Sequence, residues 1–335
     1  MTTSAAAAAG SGGSRRFVFR DGSLVAAAGL MDARRHLEVA DSWLVDSGRA
    51  RAIDLHRARF FASAAVAGFG NETLLAAFWE AALGAIPPVH RWFPRVELSR
   101  VGDGAAGGAG DGLAGGGAAG GGAAGGGAAG GGAASAGGGG AAGGEGAASA
   151  GAGGAAGSGS GSGAARWRLS LLMRLAPPLA ASAVLRTHDG PEPRSIPSRK
   201  GPDLDALTAL RDAARADGID DLVLLGPDGE IIDGTTTALL WWRGDTLYAP
   251  PADLVRVDSV TAKSVRVLAA ALGVTVSEER ATPADLAGTE VWAVNALHGI
   301  RVVTAWHGGP SVAASPGRAA LWQRRLGALA RPLAD

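Results

Sequence analysis

A long glycine- and alanine-rich tract interrupts the chain and limits how much of it can fold into a packed core. The sequence has 335 residues and 55 glycines, and most of the glycine excess lies between Asp103 and Gly163. Such a tract cannot bury enough apolar surface to offset the entropy of ordering it, so we expect residues 101–165 to form a disordered loop. Residues 1–15, which are rich in Ala, Gly and Ser, are expected to form a disordered leader.

Strand-like segments flank the tract on both sides. "RVELSRV" ends just before it, and "RWRLSLLMRLAP" begins just after it. Lengthening a loop costs only about 0.6 kcal/mol per doubling, so a long insertion between two partner strands is tolerable. We therefore predict that the two strands are neighbours in one sheet and that the tract is an enlarged hairpin loop rather than an interdomain linker.

The segments before the tract alternate between hairpins and helices. "FVFRDGSLVAA" predicts a strand, an Asp-Gly turn and a second strand, and "SWLVDSGRARAIDL" repeats that pattern around Ser47-Gly48. The spacing of apolar residues predicts a helix in "DLHRARFFASAAVAGF" and a second one in "ETLLAAFWEAALG". Together these segments predict a small α/β domain over residues 16–186.

Residues 187–335 are predicted to form a larger domain. "DLDALTALRDAARADG" predicts a helix capped by Asp203 and terminated at Gly218, and "SVTAKSVRVLAAALG" predicts another that stops at Gly273. Hairpins are predicted at "DDLVLLGPDGEIIDG", "TALLWWRGDTLYAPP" and "EVWAVNALHGIRVVTAW". Since hairpins alternate with helices, the fold class is mixed α/β (α+β), with mixed rather than purely parallel sheets. Trp241-Trp242 could be a stacking platform, but a buried strand is the interpretation we favour.

Charge and residue types narrow the functional class. The 31 Lys and Arg residues balance the 31 Asp and Glu residues, and a neutral chain without a basic block lacks the footprint of a nucleic-acid or membrane binder. The absence of cysteine excludes disulfides and thiolate chemistry, and the six histidines show no metal-ligand spacing. No apolar run is long enough to span a bilayer. We therefore expect a cytoplasmic protein that acts on small molecules and binds no metal.

Lysine is rare in this chain. Among 31 Lys and Arg residues, lysine occurs only at Lys200 and Lys263. Only lysine can form a Schiff base and then act as an acid or base, because arginine stays protonated at any accessible pH. Lys200, which lies just before a predicted helix, is therefore a candidate catalytic residue, with a solvated surface lysine as the alternative. Lys263, in a helix that also carries Arg266, is interpreted as a surface residue.

A series of motifs follows Lys200 in a fixed order. It runs through "ADGIDDLVLLGPDGEIIDGTTTALLWWRGDTLYAPP" to "VWAVNALHGIRVV" and covers nearly all of residues 187–310. This series resembles the class IV aminotransferase family of pyridoxal-phosphate enzymes, and "DLHRARF" is similar to that family's His-x-x-Arg helix. The resemblance implies the two-domain fold-type IV architecture, pyridoxal 5'-phosphate as the cofactor, and a homodimer.

The resemblance also implies roles for individual residues. Lys200 matches the lysine that holds the cofactor through a Schiff base and moves the substrate proton. Arg59 matches the helix arginine that binds the cofactor phosphate. Asp233 stands where the family usually has a glutamate against the pyridine nitrogen, and a carboxylate there keeps the ring protonated. These three residues are the first candidate site residues.

The phosphate side of the implied site departs from the family. Ser259 and Val260 lie at the start of the helix whose N-terminus faces the phosphate, and Asn295 falls in a segment on the same side. Asp258, however, puts a carboxylate where a phosphate should approach, and Ala238 replaces the asparagine usually found five residues after the glutamate. These departures keep open the alternative of a degenerate, non-catalytic family member that has lost cofactor binding.

Two reactions are compatible with the resemblance. One is amino-group transfer between an amino acid and a 2-oxo acid. The other is a lyase reaction that eliminates pyruvate from 4-amino-4-deoxychorismate, because "VNALHGIRVV" is closer to the corresponding lyase segment. The sequence of the N-terminal half does not identify a clamp for the substrate carboxylate.

Overall fold

Three β-sheets and five α-helices make up the part of the chain that the computed structural model describes, which is residues 14–27, 35–102, 166–313 and 317–333. The helices are α1 (Ile53–Val66), α2 (Glu72–Gly84), α3 (Leu204–Arg215), α4 (Val260–Ala271) and α5 (Ala319–Gly327). The strands are β1 (Arg15–Arg20), β2 (Ser23–Ala26), β3 (Arg35–Ser42), β4 (Val45–Asp46), β5 (Arg49–Ala50), β6 (Arg91–Trp92), β7 (Arg95–Val101), β8 (Arg166–Met173), β9 (Ser182–Thr187), β10 (Asp221–Leu225), β11 (Ile231–Gly234), β12 (Ala238–Arg243), β13 (Thr246–Ala249), β14 (Val276–Glu278), β15 (Glu290–Asn295), β16 (Gly299–His307) and β17 (Arg331–Pro332).

The first sheet, called the N-terminal sheet here, has five antiparallel strands in the order β2-β1-β8-β7-β3. β7 and β8 pair along their whole length, with Val101 opposite Arg166, so the prediction that they are neighbouring strands is confirmed. Most of the predicted disordered loop lies outside the described residues, as do residues 1–13 of the predicted leader. β1 begins at Arg15, one residue inside that predicted leader.

The N-terminal sheet has two chemically different faces. Helices α1 and α2 pack on one face, where buried aromatic and aliphatic side chains such as Phe60, Phe78 and Trp79 form a hydrophobic core. The other face carries charged and hydroxyl side chains, among them Glu97 and Ser99, because side chains alternate between faces along each strand. The sheet therefore presents a polar surface on the side away from its helices.

The second sheet, called the C-terminal sheet here, has eight strands in the order β11-β10-β9-β16-β15-β12-β13-β14. β9 pairs in parallel with β10 and β16, β13 pairs in parallel with β14, and the remaining pairs are antiparallel. The prediction of mixed sheets is confirmed. A small third sheet has the order β17-β5-β4-β6.

The predicted domain boundary at residue 187 needs a correction. β9 ends at Thr187 but lies in the middle of the C-terminal sheet, so any boundary between the halves falls before Ser182. The sequence assigned this strand to the first half because nothing local shows which sheet a strand joins. The described residues on both sides of the tract form one compact unit. The division into a small and a larger domain therefore stays a prediction.

Hydrophobic clusters cover both faces of the C-terminal sheet. Trp241 faces one cluster, and its neighbour Trp242 faces the other, where α4 and α5 pack. Both side chains are buried, and Trp242 makes edge contacts with Trp292 and Trp322 at ring-centroid distances of 5.4 Å. The buried-strand interpretation of this pair is confirmed. Within the described residues, no helix combines the length and apolar character needed to cross a membrane.

Helix ends follow the predictions with one exception. Gly218 and Gly273 adopt positive φ values of 75° and 71° after α3 and α4, as expected for terminators. Asp203 precedes α3 but makes no side-chain cap. Its carboxylate instead accepts hydrogen bonds from the backbone N–H groups of Ser195 and Ile196, at 2.8 and 3.1 Å. Asp203 therefore holds the loop before Lys200 rather than the helix after it.

Candidate active site

Lys200 lies against the outer edge of the N-terminal sheet. The backbone N–H of Ala40, in edge strand β3, donates a hydrogen bond of 2.7 Å to the carbonyl oxygen of Lys200. The next residue, Gly201, approaches β3 so closely that a Cβ atom would lie 2.7 Å from the carbonyl oxygen of Glu38 and 2.7 Å from Cα of Val39. Only glycine fits this approach without displacing backbone. Gly201 therefore fixes the position of the lysine beside β3.

The side chain of Lys200 has an environment suited to a nucleophile. Burial, reinforced by the positive charge of Arg59, lowers the pKa of Lys200 to about 8, against the opposite effects of Asp41 and Asp233. Its Nζ atom makes no hydrogen bond or ion pair with any residue that the structure describes. A lysine with such a pKa has an appreciable neutral fraction near neutral pH, which is the form that attacks a carbonyl carbon.

Arg59 is held by a buried carboxylate that sequence analysis did not identify. Asp41, in β3, accepts hydrogen bonds of 2.8 Å from Nε and Nη2 of Arg59, and its Oδ1 lies 2.8 Å from Nδ1 of His56. Burial alone would raise the pKa of Asp41, but Arg59 and His56 outweigh it and hold that pKa well below its usual range. Burial also lowers the pKa of His56, so the ring is neutral and donates from Nδ1. His56 therefore packs in the first turns of α1 against Asp41.

Asp258 turns its charge away from Arg59. The carbonyl oxygen of Asp258 accepts a hydrogen bond of 2.8 Å from Nη1 of Arg59, which joins α1 to the residues before α4. The Asp258 carboxylate lies on the surface, 68% exposed, and pairs with Nζ of Lys263 at 2.7 Å. The repulsion anticipated from the sequence is thereby reduced, because the carboxylate is solvated and neutralised. Lys263 lies on the surface, as predicted.

The start of α4 offers unused backbone donors. Ser259 is the N-cap, and its hydroxyl accepts a hydrogen bond from the backbone N–H of Ala262. The N–H groups of Val260 and Thr261 have no hydrogen-bond partner among the described residues. Free N–H groups and the helix dipole make such an end favourable for an anion.

A recess opens beside this helix end. Its lining includes Arg51, His56, Val260, Thr261 and Ala296. Nη2 of Arg51 donates a hydrogen bond of 3.3 Å to the carbonyl oxygen of Ala296, and burial lowers the pKa of this guanidinium. The recess therefore combines a helix N-terminus with an arginine that has no carboxylate partner among the described residues.

Asn295 lies next to the recess, but its side chain serves the local turn. Its Oδ1 accepts hydrogen bonds from the backbone N–H groups of Leu297 and His298, at 3.1 and 2.8 Å. This arrangement shapes the connection between β15 and β16 and fixes Ala296, which lines the recess. A cofactor-binding role for Asn295 stays a prediction.

Asp233 is a buried carboxyl group in β11. Its nearest charged partner is Arg194, with an Nη1–Oδ2 distance of 3.7 Å, and no described side chain donates a hydrogen bond to it. Burial raises the pKa of Asp233 to about 7, although Arg194 and Arg256 act against the shift. Arg256 is engaged with the backbone carbonyl oxygens before it, including that of Pro250. Asp233 is thus a buried acid whose ion pair with Arg194 is longer than a hydrogen bond.

A second buried carboxylate fixes the turn that follows Asp233. Asp221, in β10, accepts hydrogen bonds from the hydroxyl groups of Thr235, Thr236 and Thr237. Gly234 is required there, because a Cβ atom would lie 2.5 Å from the hydroxyl oxygen of Thr237. The network holds the end of β11 and with it the orientation of Asp233.

The structure brings the principal candidates into one region. Lys200, Arg59 and Asp233 are close enough that the charges of Arg59 and Asp233 shift the pKa of Lys200, and Arg59 joins this group to the start of α4. Sequence analysis missed Asp41 and Arg194. A signal for Asp41 was present, since an acidic residue in the apolar strand "HLEVADS" requires a buried partner. Within the described ranges, no group of three or more His, Cys, Asp or Glu side chains could hold a metal ion.

A known family profile covers most of the sequence that carries these residues. The sequence profile of the family described as amino-transferase class IV matches residues 148–306. This match includes Lys200, Asp233, Val260 and Asn295, and it excludes Arg59. Among curated protein sequences, none matches the chain significantly.

Solved structures of similar fold extend over almost the whole chain. A hypothetical aminotransferase from Mycobacterium tuberculosis, in a PLP-bound form, has a TM-score of 0.65 at 14% identity and covers 95% of this chain and 98% of its own. A fold IV-transaminase from Curtobacterium pusillum has a TM-score of 0.61 at 15% identity, with 94% and 96% covered. A branched-chain aminotransferase from Thermoproteus uzoniensis has a TM-score of 0.65 at 14% identity, with 96% and 100% covered. Residues 148–306 thus match the class IV aminotransferase family model, and the fold of the chain is the fold-type IV architecture of these solved structures.

Proposed function

We propose that this protein is a pyridoxal-phosphate-dependent aminotransferase that transfers an amino group between an amino acid and a 2-oxo acid, with Lys200 as the cofactor lysine. The observation that carries the proposal is the environment of Lys200. Its Nζ is unpaired among the described residues, its pKa is lowered to about 8, and the charges of Arg59 and Asp233 both act on it. An amine held in this state can react with an aldehyde and later exchange a proton.

The residues present fit a phosphorylated pyridine aldehyde. Arg59 and the free N–H groups at the start of α4 would hold the phosphate, because both favour an anion. Asp233 would contact the ring nitrogen, since it is a buried carboxyl that accepts no side-chain hydrogen bond from the described residues and whose ion pair with Arg194 is 3.7 Å long. When bound, the cofactor acts as an electron sink that stabilises negative charge on the substrate carbon.

The raised pKa of Asp233 determines whether its carboxyl group would be charged when the cofactor is bound. An isolated buried carboxyl with a pKa of about 7 is half-protonated at neutral pH. A ring nitrogen that carries a proton places a positive charge beside it, and an opposite charge lowers a carboxyl pKa. We therefore expect Asp233 to be ionised in the loaded protein. Asp221 and its threonine partners would keep the carboxylate in place.

Proton transfer and the positioning of Arg59 would be carried out by side chains of this protein. Lys200, released when substrate binds, would remove and return the substrate proton, since its lowered pKa keeps it close to the ambient pH. Asp41 would act as a positioning residue, because it fixes two nitrogen atoms of Arg59 and leaves Nη1 directed toward the α4 side. Within this proposal, Ser259 contributes the helix cap rather than a direct contact.

The decisive experiment uses the two lysines of the chain as a matched pair. Purified protein incubated with pyridoxal phosphate should gain a visible absorbance band, and borohydride should fix the cofactor covalently to Lys200. Lys200→Ala should abolish both signals, whereas Lys263→Ala should keep them, because Lys263 is exposed and pairs with Asp258. Peptide mapping locates the modified residue. A colourless protein that ignores the cofactor would refute the proposal and support the degenerate, non-catalytic alternative.

The reaction type needs a separate measurement. Coloured protein incubated with amino acid and 2-oxo acid pairs should exchange their amino groups, detected by mass spectrometry. Release of pyruvate from 4-amino-4-deoxychorismate without such exchange would favour the lyase, which the segment "VNALHGIRVV" keeps as the second candidate. The homodimer implied by the resemblance and the cytoplasmic location expected from the composition remain predictions, checked by light scattering and by cell fractionation.

A further inference from the structure

The loop that carries Lys200 docks on an irregular point of the edge strand β3. The pairing register of β3 with β7 shifts between Leu37 and Val39, so Glu38 is an extra residue between them and forms a β-bulge. A bulge bends its strand and redirects the side chain of the extra residue. The Glu38 side chain is buried. The bulge therefore supplies a buried carboxylate at the edge of the sheet where the lysine loop lies.

Glu38 forms a buried ion pair with Arg199, the residue that immediately precedes Lys200. Nη2 of Arg199 donates a hydrogen bond of 2.8 Å to Oε2 of Glu38, and the two side chains are 11% and 8% exposed. We call Glu38 and Arg199 the lysine clamp. The clamp joins the lysine loop to β3 through side chains, next to the backbone contacts that Ala40 and Gly201 make.

A second arginine holds Glu38 from the other side. Nε of Arg100, in β7, lies 2.9 Å from Oε1 of Glu38. The same guanidinium donates a hydrogen bond of 2.8 Å to the carbonyl oxygen of Ala67, which follows α1, and lies 4.7 Å from the ring centroid of Trp167. The Glu38 carboxylate therefore stays paired when Arg199 is replaced. This makes Arg199 the better position at which to open the clamp.

The backbone contacts of the loop do not by themselves fix its orientation. A single hydrogen bond, such as the one from Ala40 to the carbonyl oxygen of Lys200, adds little net stability because water replaces it when the loop departs. The glycine at position 201 permits the close approach to β3 without enforcing it. A buried ion pair also adds little net stability, but it can specify one arrangement. Because Arg199 and Lys200 are neighbours, a fixed guanidinium at Arg199 limits how the loop can rotate.

We propose that Glu38 and Arg199 are positioning residues for Lys200, and that their ion pair docks the lysine loop on the bulge of β3 and keeps the lysine amine buried. This inference rests on the proposed function, because it concerns the lysine that would hold the cofactor. Burial is the largest cause of the lowered pKa of Lys200. A loop that leaves β3 would expose the amine to water and return its pKa toward the ordinary value of 10.5.

Two measurements on cofactor-free protein test the lysine clamp. In a Lys263→Arg background Lys200 is the only lysine, so labelling by an amine reagent at different pH values reports its ionisation. Hydrogen exchange of the Ala40 N–H reports docking, since this group donates to the carbonyl oxygen of Lys200. Arg199→Met should raise the labelling midpoint by at least about one pH unit and make the Ala40 exchange about tenfold faster. Arg199→Lys, which keeps a charged donor for Glu38, should reverse part of both effects.

Arg100→Gln is the matched control for Arg199→Met. It removes the other arginine from the same carboxylate but leaves the lysine clamp intact, so labelling and exchange should match those of the background protein. These variants also leave in place the main charged groups that act on Lys200, which belong to Arg59, Asp41, Asp233 and Arg95.

Each other outcome for Arg199→Met overturns the inference. Labelling and exchange that both match the background show that the clamp does not hold the loop. A shifted midpoint alone is a charge effect without loss of docking, and faster Ala40 exchange alone leaves the amine buried. Faster exchange that extends through the C-terminal sheet is general destabilisation. If Arg199→Met does not fold, Arg199→Gln takes its place under the same criteria.

The two readouts separate this inference from the proposed function, because neither requires the visible cofactor band. A protein that ignores pyridoxal phosphate but shows both effects of Arg199→Met refutes the proposed function and supports the lysine clamp. A coloured protein in which Arg199→Met changes neither readout keeps the proposed function and overturns only the role of Glu38 and Arg199.

Discussion

Replacing Asp41 by asparagine tests how Arg59 is held. In the structure the Asp41 carboxylate accepts two hydrogen bonds from Arg59, one from His56 and one from the backbone N–H of Ser42. Asn keeps the shape of the side chain but removes the charge and turns one acceptor into a donor that faces Arg59. The guanidinium, with a side chain 15% exposed, then loses its paired negative charge and keeps at most one hydrogen bond to the asparagine oxygen besides that to the carbonyl oxygen of Asp258.

The expected loss of stability is large. Removing one partner of a buried ion pair leaves an uncompensated charge and costs about 3–5 kcal/mol, a sizeable fraction of the total for a typical domain. Urea unfolding of Asp41→Asn should show this loss at neutral pH. Asp46→Asn serves as the control, because Asp46 and Arg91 form an exposed pair whose loss should cost less than about 1 kcal/mol. A loss below about 1 kcal/mol for Asp41→Asn would refute the buried-pair reasoning.

The pH dependence of the same variant provides an independent check. The pKa of Asp41 in the folded protein is held well below its ordinary value of 3.8. Its contribution to stability is therefore fully present above that ordinary value and is lost as the pH falls through the lower folded value. The stability difference between Asp41→Asn and the parent should be constant above about pH 7, where His56 is neutral in both proteins, and the contribution of the Asp41 charge should disappear below about pH 4. Asp41→Asn measured in a His56→Gln background isolates that charge, and a difference there that grows in acid would contradict the assignment.

Local geometry supports three further predictions. Gly201→Ala should lower the unfolding free energy by about 1–3 kcal/mol, because its Cβ would meet the backbone of Glu38; urea unfolding that matches the parent would contradict this. In cofactor-free Lys263→Arg protein, the extent to which an amine reagent labels Lys200, measured by mass spectrometry, should be half-maximal near pH 8. A midpoint at the ordinary lysine pKa of 10.5 would rule out a desolvated lysine. Replacing residues 104–164 by a four-residue turn should raise stability by about 2 kcal/mol through a shorter loop closure, and loss of cooperative unfolding would disprove the hairpin interpretation.

Local sequence patterns predicted most of the secondary structure. The hairpins around Asp21-Gly22 and Ser47-Gly48 form as expected because Gly22 and Gly48 supply the positive φ values that tight turns need. Thr282 and Asp285, three residues apart, likewise form a capping box in which the Asp285 carboxylate accepts a hydrogen bond from the backbone N–H of Thr282. These features depend on residues a few positions apart, which is why a sequence reveals them.

Predictions about side-chain partners were less successful. Asp203 has the type and position of a helix cap, yet its carboxylate is drawn to free N–H groups in the preceding loop. Asp258 looked adverse to a phosphate, but Lys263 one helical turn later takes its charge toward the surface. The group with which a carboxylate pairs depends on the groups that the fold places near it. The spacing of apolar residues along the sequence does not reveal those neighbours.

The sequence by itself determined the fold class, the β7–β8 hairpin and the singling out of Lys200, because these follow from periodicity, turn chemistry and the chemical difference between lysine and arginine. The tertiary structure decided what surrounds that lysine. It placed Asp41 in hydrogen-bond contact with Arg59, left Asp233 buried with only a long ion pair to Arg194, and gathered Arg16, Arg35 and Arg95 around Glu97. Residues far apart in sequence meet in these groups only after the sheets form, and their charges then set the pKa values on which the chemistry depends.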